Sequence, residues 1–437
     1  GDEIVIAPTA PASERNSHEQ FDEATITSIS GNTVGLSSPL SYAHPTVNGT
    51  WNAEVLNLTR NVQIEGTGQN TASPTANGRA HILVMSTSPQ SIRYAQLRHL
   101  GPRVSEGSGG TDGVTGRYSL HFHHNGDGSR GSLVEGVVVR NSGNSAYVPH
   151  ASNGITIRDS VAYDGWENPV WWDPPTPRNG PSRNSNFTHD SDSIVLDRMV
   201  VAGVQTGGSG GYRMAGFTLA TGTNLSLTNS VAIGVEGRIQ TSGFGWLEQT
   251  NVNNMWTFDN NIAHNNVQNG IFTWQNLNNE HIVNKFVAYH NGDAGISQGA
   301  YVSAFQYFDT FLYSNGEIAL EQHAGAHNNR NVQRTDGYTM VYENLQTNGP
   351  LVVRKQGVPS SRPVLFHNCS FSHVEIRNVG DGNGNPAKLD FVDCGLQPED
   401  FRITSMVAGS QIRVQNGSDA FSIGANGQAS SIAAFHS

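Results

Sequence analysis

The sequence predicts an all-β protein, a right-handed parallel β-helix with coils of about 25 residues, a small N-terminal β segment and a long loop over one face. Three observations predict this fold. A short apolar segment that ends in asparagine recurs in the middle of the chain, glycine is abundant with 49 residues, and only 14% of the residues are charged. No long stretch shows the apolar period of a helix, so a helical protein is not expected.

The repeat is clearest in the middle of the chain. Segments Ile262–Asn266, Val287–Asn291 and Phe311–Asn315 each end in asparagine, and these asparagines are 25 and then 24 residues apart. Each such coil buries its aliphatic side chains only when the next coil stacks on it, at a spacing of ~4.8 Å. Asparagine at a turn tolerates a left-handed backbone, and its amide can bind the same residue one coil away. A leucine-rich repeat is the competing solenoid, but its leucine spacing is absent.

Three regions are expected along the chain. Residues 1–100 carry short strands, which form either early coils or a small β module packed on the end of the solenoid. Residues 101–397 form the parallel β-helix with the active face, and residues 398–437 form terminal coils or a cap. The segment Trp171–Asp192 is rich in proline, asparagine and arginine, which predicts a long loop that leaves the solenoid.

Charge and hydropathy limit the classes of partner. The net charge of −11 argues against a nucleic-acid-binding or membrane-surface protein, and it also repels an anionic polymer at long range. An acidic substrate therefore requires local cations or a bound metal. No apolar run approaches the ~20 residues of a membrane span, and no signal peptide is present. Because the chain opens directly on the strand-like segment Gly1–Ala7, we expect it to be a processed or truncated piece of a longer precursor. We expect the protein to be secreted and extracellular. The sequence leaves the oligomeric state open.

The chain has two cysteines, which cannot form a disulfide framework or a cysteine-rich zinc site. Cys369 and Cys394 are 25 residues apart, about one coil, so they are expected to stack. The sequence leaves open whether they form a disulfide or remain two buried thiols.

Superposing the second strand of each coil brings a group of polar side chains onto one face. Side chains alternate along a strand, so if Leu120 and Phe122 point into the core, His121 and His123 point outward. The same alternation points the side chain of His150 outward on the next coil, and that of Asp173 outward on the coil after it. In this register His121, His150 and Asp173 form one outward column on three successive coils. They are expected to bind a divalent metal, calcium or zinc, or to act as base, acid and orienting group, with His123 beside them.

Other residues complete the predicted face. Asp127, in the turn after the histidines, is a further catalytic carboxylate, and Arg117 is a fixed cation for a substrate carboxylate. Trp171 and Trp274 either stack on sugar rings or pack beneath the long loop. Glu321, farther along the face, is expected to be a subsite residue.

Several motifs carry a resemblance to a known family. The stretch Gly116–Asp127 resembles the pattern GRYP-x-HFH-x-x-GD, His150–Gly154 resembles HGTNG, and Ala53–Gly66 resembles AEV-x-LTRN-x-x-I-x-G. These patterns, in this order, resemble the cell-migration-inducing hyaluronidases, which include the transmembrane hyaluronidase and are more distantly related to fibrocystin. The resemblance is good over residues 1–175 and general beyond them.

The resemblance implies a right-handed β-helix protein that depolymerises hyaluronan, in some members with calcium dependence. The functional positions that it implies here are Arg117, His121, His123, Asp127 and His150. The chain departs from the family where the pattern GH-x-FFLEDG is expected. There Asn168 replaces the histidine, and Asp173 and Pro174 replace the Glu-Asp pair, so a different glycan or a different route is conceivable.

Three functions remain open at this point. The first is endo-hydrolysis of an anionic, uronate-containing polysaccharide, with Asp127 and Asp173 as the carboxylates or with a metal that activates water. The second is a polysaccharide lyase, in which Arg117 neutralises the uronate and His121 removes a proton. The third is a non-catalytic carbohydrate-binding or surface solenoid. The fold alone cannot choose among them.

Overall fold

A computed structural model of the chain describes residues 1–66, 79–103, 113–114, 116–171, 191–205, 214–219, 222–237, 239–246, 256–273, 280–298, 304–324, 337–338, 340–356, 363–380 and 386–436. In these residues the protein is an all-β parallel solenoid with about 27 residues per turn, which confirms the predicted fold class. Coils differ in length: equivalent residues Ser230 and Asn261 are 31 apart, whereas Asn291 and Asn315 are 24 apart.

Among the described residues, the longest sheet has fourteen strands. In chain order these strands are Ser91–Arg93, Leu133–Glu135, Thr156–Arg158, Val195–Asp197, Leu225–Thr228, Trp256–Asp259, Glu280–Asn284, Ala304–Phe308, Met340–Glu343, Val364–His367, Lys388–Val392, Gln411–Asn416, Asp419–Gly424 and Ala429–Ser431. All pairs are parallel except the last two, in which antiparallel strands close the C-terminal end of the sheet.

A second sheet has ten parallel strands. They are Val62–Glu65, Ala95–Arg98, Val138–Arg140, Val161–Trp166, Val200–Gln205, Val231–Val235, Ile262–His264, Val287–Tyr289, Phe311–Tyr313 and Gln346–Thr347.

The third sheet carries the predicted active face. It begins with three strands and continues with eight, and bridges from Val170 to Tyr147 and to Phe217 join the two parts. The strands are Ile82–Val84, Leu120–Gly126, Tyr147–Ser152, Ala215–Thr218, Ser242–Trp246, Asn269–Thr273, Ala294–Gln298, Ile318–Ala324, Leu351–Gln356, Val374–Ile376 and Phe401–Ile403. A short pair, Ser191–Asp192 and Gly222–Thr223, and the 3-10 helices Ser17–Glu19, Asp127–Ser129 and Pro398–Asp400 complete the elements.

The core lies inside the coils and is built from columns of stacked side chains. Phe366 stacks between Tyr342 and Phe391, with ring centroids 4.9 and 4.7 Å away. Burying one such aromatic side chain contributes about 2–3 kcal/mol to the free energy of unfolding. Each coil could not fold alone and is stabilised by the coils that stack on it.

The asparagine repeat forms the predicted ladder. The side-chain amide of Asn266 donates to Oδ1 of Asn291, and that of Asn291 donates to Oδ1 of Asn315, both at 2.8 Å. The left-handed conformation falls one residue earlier than predicted, on Asn265 and His290 with φ of 50° and 52°. The ladder asparagines are buried, and each amide also donates to a backbone carbonyl of the preceding coil.

The first strands form a separate antiparallel sheet: Glu3–Ile6, Asp22–Ser30, Thr33–Leu36 and Val55–Asn57. This sheet packs along the side of the solenoid and not on its end. Val5 and Leu56 pack against Tyr163 and Ile233 of the ten-stranded sheet, and Trp51 stacks on Tyr289 at 5.5 Å. The segment thus covers several coils of that sheet lengthwise, which leaves the third sheet on a different side.

The predicted long loop at Trp171–Asp192 lies almost entirely outside the described residues, since 172–190 are not described. Within the described ranges, no helix is long and apolar enough to span a membrane.

Candidate functional site

Two neighbouring strands of the third sheet bring the histidines together. Leu120–Gly126 and Tyr147–Ser152 pair in parallel, with His123 opposite His150 and His121 opposite Val148. The predicted column of His121 and His150 is therefore wrong by two residues. A two-residue slip keeps every side chain on the same face, so alternation alone could not detect it. The pairing of the fully buried side chains Leu120 and Tyr147 sets the observed register.

The three imidazoles nevertheless converge. Ring centroids are 4.7 Å apart for His121 and His123, 5.3 Å for His123 and His150, and 5.7 Å for His121 and His150. One ring nitrogen of each histidine lies within 4.8 Å of those of the other two. These three residues are called the histidine cluster below. Its ligand atoms come from two coils, so the cluster exists only when the coils stack.

A backbone contact fixes the orientation of His121. Its Nδ1 lies 2.9 Å from the carbonyl oxygen of Gly116, which can only accept, so Nδ1 carries the proton. The neutral ring then keeps its lone pair on Nε2, which lies 3.3 Å from Nδ1 of His123. A backbone carbonyl that orients a ligating imidazole in this way is the usual support of a metal-binding histidine.

The cluster is held neutral by its surroundings. Burial first, and the neighbouring histidines in addition, lower the pKa of His121 to about 4 and that of His150 to about 3. Burial also lowers the pKa of His123. At neutral pH these rings are therefore neutral, with a nitrogen lone pair available to a metal, and they are poor proton donors.

The geometry and the donor set fit zinc better than calcium. Zinc takes imidazole nitrogens at about 2.0–2.1 Å, which places two ligands of a tetrahedral site about 3.3 Å apart, whereas calcium takes oxygen ligands. The separation of His121 Nε2 and His123 Nδ1 matches that value. Asp173, predicted as the third ligand, lies outside the described residues, and His123 stands in the described group instead.

Two more histidines border the cluster and were missed from the sequence. The exposed ring of His124 lies 4.3 Å from that of His123 and 4.7 Å from that of His150. Strict alternation turns His124 inward, but its left-handed backbone, with φ of 53°, breaks the alternation. Ala151 has φ of 45° in the next coil, where the register also shifts. His81 lies near enough to His121 to lower its pKa.

Asp127 is engaged elsewhere. Its Oδ1 accepts hydrogen bonds from Arg130 at 2.7 Å and from Asn153 at 2.9 Å. These bonds, that of Asn153 first, lower the pKa of the exposed carboxyl group. The carboxylate is therefore ionised at neutral pH, which is the wrong state for the proton donor of a hydrolase.

Two predicted substrate-binding residues, Arg117 and Trp171, are linked to the cluster through its neighbours. Arg117 is exposed and follows Gly116, the residue that orients His121, and it has no carboxylate partner among the residues that the structure describes. Trp171 is half-buried next to Val170, and Tyr118 contacts both Trp171 and His121 edge-on, at 5.7 and 4.8 Å. An exposed cation thus follows the residue that orients His121, and a half-buried aromatic side chain is one ring, that of Tyr118, away from the cluster.

Two further residues were predicted to bind the substrate, and one of them, Trp274, lies outside the described residues. The other, Glu321, lies on the same sheet but away from the cluster. It is five strands and the bridging residue Val170 beyond His150, about 29 Å away at the usual strand spacing. Its carboxylate accepts from Ser297 at 2.6 Å and pairs with Arg354. Asn168, at the position of the family histidine, is buried, and its Oδ1 accepts the amide of Ala215 at 3.0 Å.

The fold and the cluster together define a parallel β-helix protein with a group of three histidines on one face. Residues 78–166 match the family model described as CEMIP beta-helix, and this range contains the whole cluster with Arg117 and Asp127. The resemblance to the cell-migration-inducing hyaluronidase family is thereby confirmed in this segment.

Named relatives agree with this match. The chain is 29% identical over 165 residues to a G8 domain-containing protein of Dictyostelium discoideum. It is 26% identical over 182 residues to the human cell surface hyaluronidase CEMIP2 and 26% identical over 209 residues to mouse fibrocystin-L. Each alignment covers 38% of this chain but only 13%, 12% and 5% of the respective relative. The chain is therefore similar to a short part of much longer proteins.

Proposed function

We propose that the protein depolymerises an anionic, uronate-containing polysaccharide of the hyaluronan type by endo-hydrolysis at the histidine cluster. The observation that carries the proposal is the convergence of three neutral imidazoles, from two coils, on one face of the solenoid. The cluster lies in the segment that matches the CEMIP beta-helix, and two of the relatives are named cell surface hyaluronidases. The same names support an extracellular location.

The cluster is suited to hold a divalent metal, for which zinc is the best match. A zinc ion held there would supply a Lewis acid and lower the pKa of a bound water to about 7. The chain contributes the orientation: Gly116 fixes the ring of His121, and the stacking of two coils sets the separation of His123 from His150. Neutral rings need no deprotonation before they bind a metal.

We assign substrate binding to Arg117 and Trp171. The exposed guanidinium of Arg117 can bind a uronate carboxylate through two parallel hydrogen bonds. Trp171, supported by Tyr118, offers an aromatic surface for a sugar ring. A local cation is needed here because the net charge of −11 repels a polyanion.

A lyase is the second candidate, and it needs only that the imidazole be neutral. A neutral imidazole such as His121 can accept the proton at C5 of the uronate, while Arg117 neutralises its carboxylate. The ionised state of Asp127 removes one of the two candidate carboxylates from the role of proton donor in the hydrolytic route.

One experiment separates these functions. The purified protein is incubated with a panel of anionic polysaccharides, with and without a chelator, and the chain length and ultraviolet absorbance of the products are measured. Hydrolysis predicts shortened chains without an unsaturated sugar, and a lyase predicts shortened chains that absorb. Binding without shortening of any polysaccharide would instead support a non-catalytic solenoid and overturn the proposal.

A further inference from the structure

The two cysteines occupy equivalent positions in successive coils near the C-terminal end. Cys369 follows the strand Val364–His367, and Cys394 follows its neighbour Lys388–Val392 in the fourteen-stranded sheet. His367 pairs with Val392, and each cysteine comes directly after a left-handed residue with φ of 51°. The two side chains therefore leave the same turn in the same direction.

The two cysteines are in contact. The backbone N–H of Cys369 donates to Sγ of Cys394 at 3.4 Å. Neighbouring parallel strands are ~4.8 Å apart, which falls within the Cα separation of about 4.4–6.8 Å that disulfides require. The register of the two coils therefore places the cysteines within the backbone separation of a disulfide.

The two thiols differ in reactivity. The hydrogen bond from Cys369 lowers the pKa of Cys394, whereas burial raises the pKa of Cys369 well above its ordinary value. Cys394 is also the more accessible of the two, because it is half-buried and Cys369 is buried. Cys394 is therefore the better nucleophile and Cys369 the resolving thiol.

We propose that Cys369 and Cys394 form a disulfide between adjacent coils when the folded protein meets a small disulfide oxidant such as glutathione disulfide. The thiolate of Cys394 attacks one sulfur of the oxidant, forms a mixed disulfide and releases one glutathione thiolate. Cys369 then loses its proton and attacks Sγ of Cys394, which releases the second glutathione. The two cysteines are oxidised by two electrons, and the oxidant is reduced to two thiols.

The consequence is a covalent clamp on the last coils. The bond closes a loop of about 25 residues immediately before the strands that cap the fourteen-stranded sheet. A loop of this size restricts the unfolded chain and so stabilises the folded one. The clamp fits an oxidising compartment, where such bonds persist.

The test is made on the full chain. Reduced protein is treated with glutathione disulfide, unfolded in the presence of an alkylating reagent and measured by intact mass, and its melting temperature is compared before and after oxidation. We expect a product with no alkylated cysteine, restored to two after reduction, and a melting temperature several degrees higher, with no rise in Cys369→Ser or Cys394→Ser. Two alkylated cysteines after oxidation, a persistent glutathione adduct or a linked dimer would each overturn the proposal. The mass measurement on the wild type stands by itself if a serine variant does not fold.

Discussion

His123 and His150 are paired residues on adjacent parallel strands, and their rings are 5.3 Å apart. Each belongs to a different coil, and their approach is set by the coil spacing and not by a flexible loop. Among the described residues, the histidine cluster is therefore formed by the stacking of two coils. Replacing one histidine removes a member of the cluster and not the stacking, so the site can be tested separately from the fold.

Metal binding is expected to depend on His121. Removal of one of three ligands in His121→Ala should weaken zinc binding by at least about 100-fold, since even the loss of a supporting group outside the ligand set costs about 10–100-fold. Competition with a chromogenic chelator measures the affinity. The matched control is His367→Ala, a histidine on the fourteen-stranded sheet. Equal zinc affinity in the two variants would contradict the assignment.

Recognition of the substrate is expected to depend on Arg117. Arg117→Gln removes a charge-assisted hydrogen bond worth about 1.5–3 kcal/mol, so kcat/KM on the anionic polysaccharide should fall about 10- to 100-fold. Arg117→Lys should recover only part of the loss, because lysine lacks the planar pair of donors. Arg198→Gln, on a different sheet, is the control. The idea fails if Arg117→Gln cleaves as fast as the control.

The stability of the solenoid is expected to fall in acid through His281. This ring is buried, neither nitrogen has a hydrogen-bond partner among the described residues, and burial lowers its pKa from 6.5 to about 4. The unfolded chain therefore binds the proton more tightly than the folded one. Above pH 6.5 this group does not lower the free energy of unfolding. As the pH falls toward 4, protonation of His281 in the unfolded chain lowers the free energy of unfolding by about 3 kcal/mol.

Chemical denaturation at pH 7 and pH 5 measures this effect. His281→Leu should lose less stability between the two pH values than the wild type does, whereas His436→Leu near the C-terminus should behave like the wild type. An unchanged pH dependence in His281→Leu would show that the acid sensitivity has another source.

The asparagine ladder is expected to stabilise the central coils. Asn291→Ala removes hydrogen bonds to both Asn266 and Asn315 and leaves buried polar groups without partners. Each unpaired buried group costs about 1–3 kcal/mol, so the free energy of unfolding should fall by about 3 kcal/mol. Equilibrium unfolding in urea measures it, with Asn426→Ala in the exposed terminal hairpin as the control. A loss below 1 kcal/mol would show that the ladder contributes little.

Much of the architecture could be predicted because the repeat can be recognised in short segments of the sequence. The spacing of Asn266, Asn291 and Asn315 predicts the stacking of coils, and alternation around Leu120 and Phe122 places His121 and His123 on an outer face. These patterns depend only on the period of a strand and of a coil.

The finer geometry was not predictable, for physical reasons that can be named. The register of His150 against His123 depends on the packing of Leu120 against Tyr147, which alternation cannot sense. The position of His124 depends on one left-handed residue. The N-terminal sheet lies along the ten-stranded sheet because Val5 finds apolar partners there, a long-range contact that no local pattern records.

The most direct test of the account uses His123→Ala and His150→Ala on whichever anionic polysaccharide the wild type shortens, with zinc present and with circular dichroism to confirm that the β-fold persists. The account predicts that both folded variants leave the polymer at its original length. Shortening at the wild-type rate by either folded variant would contradict it.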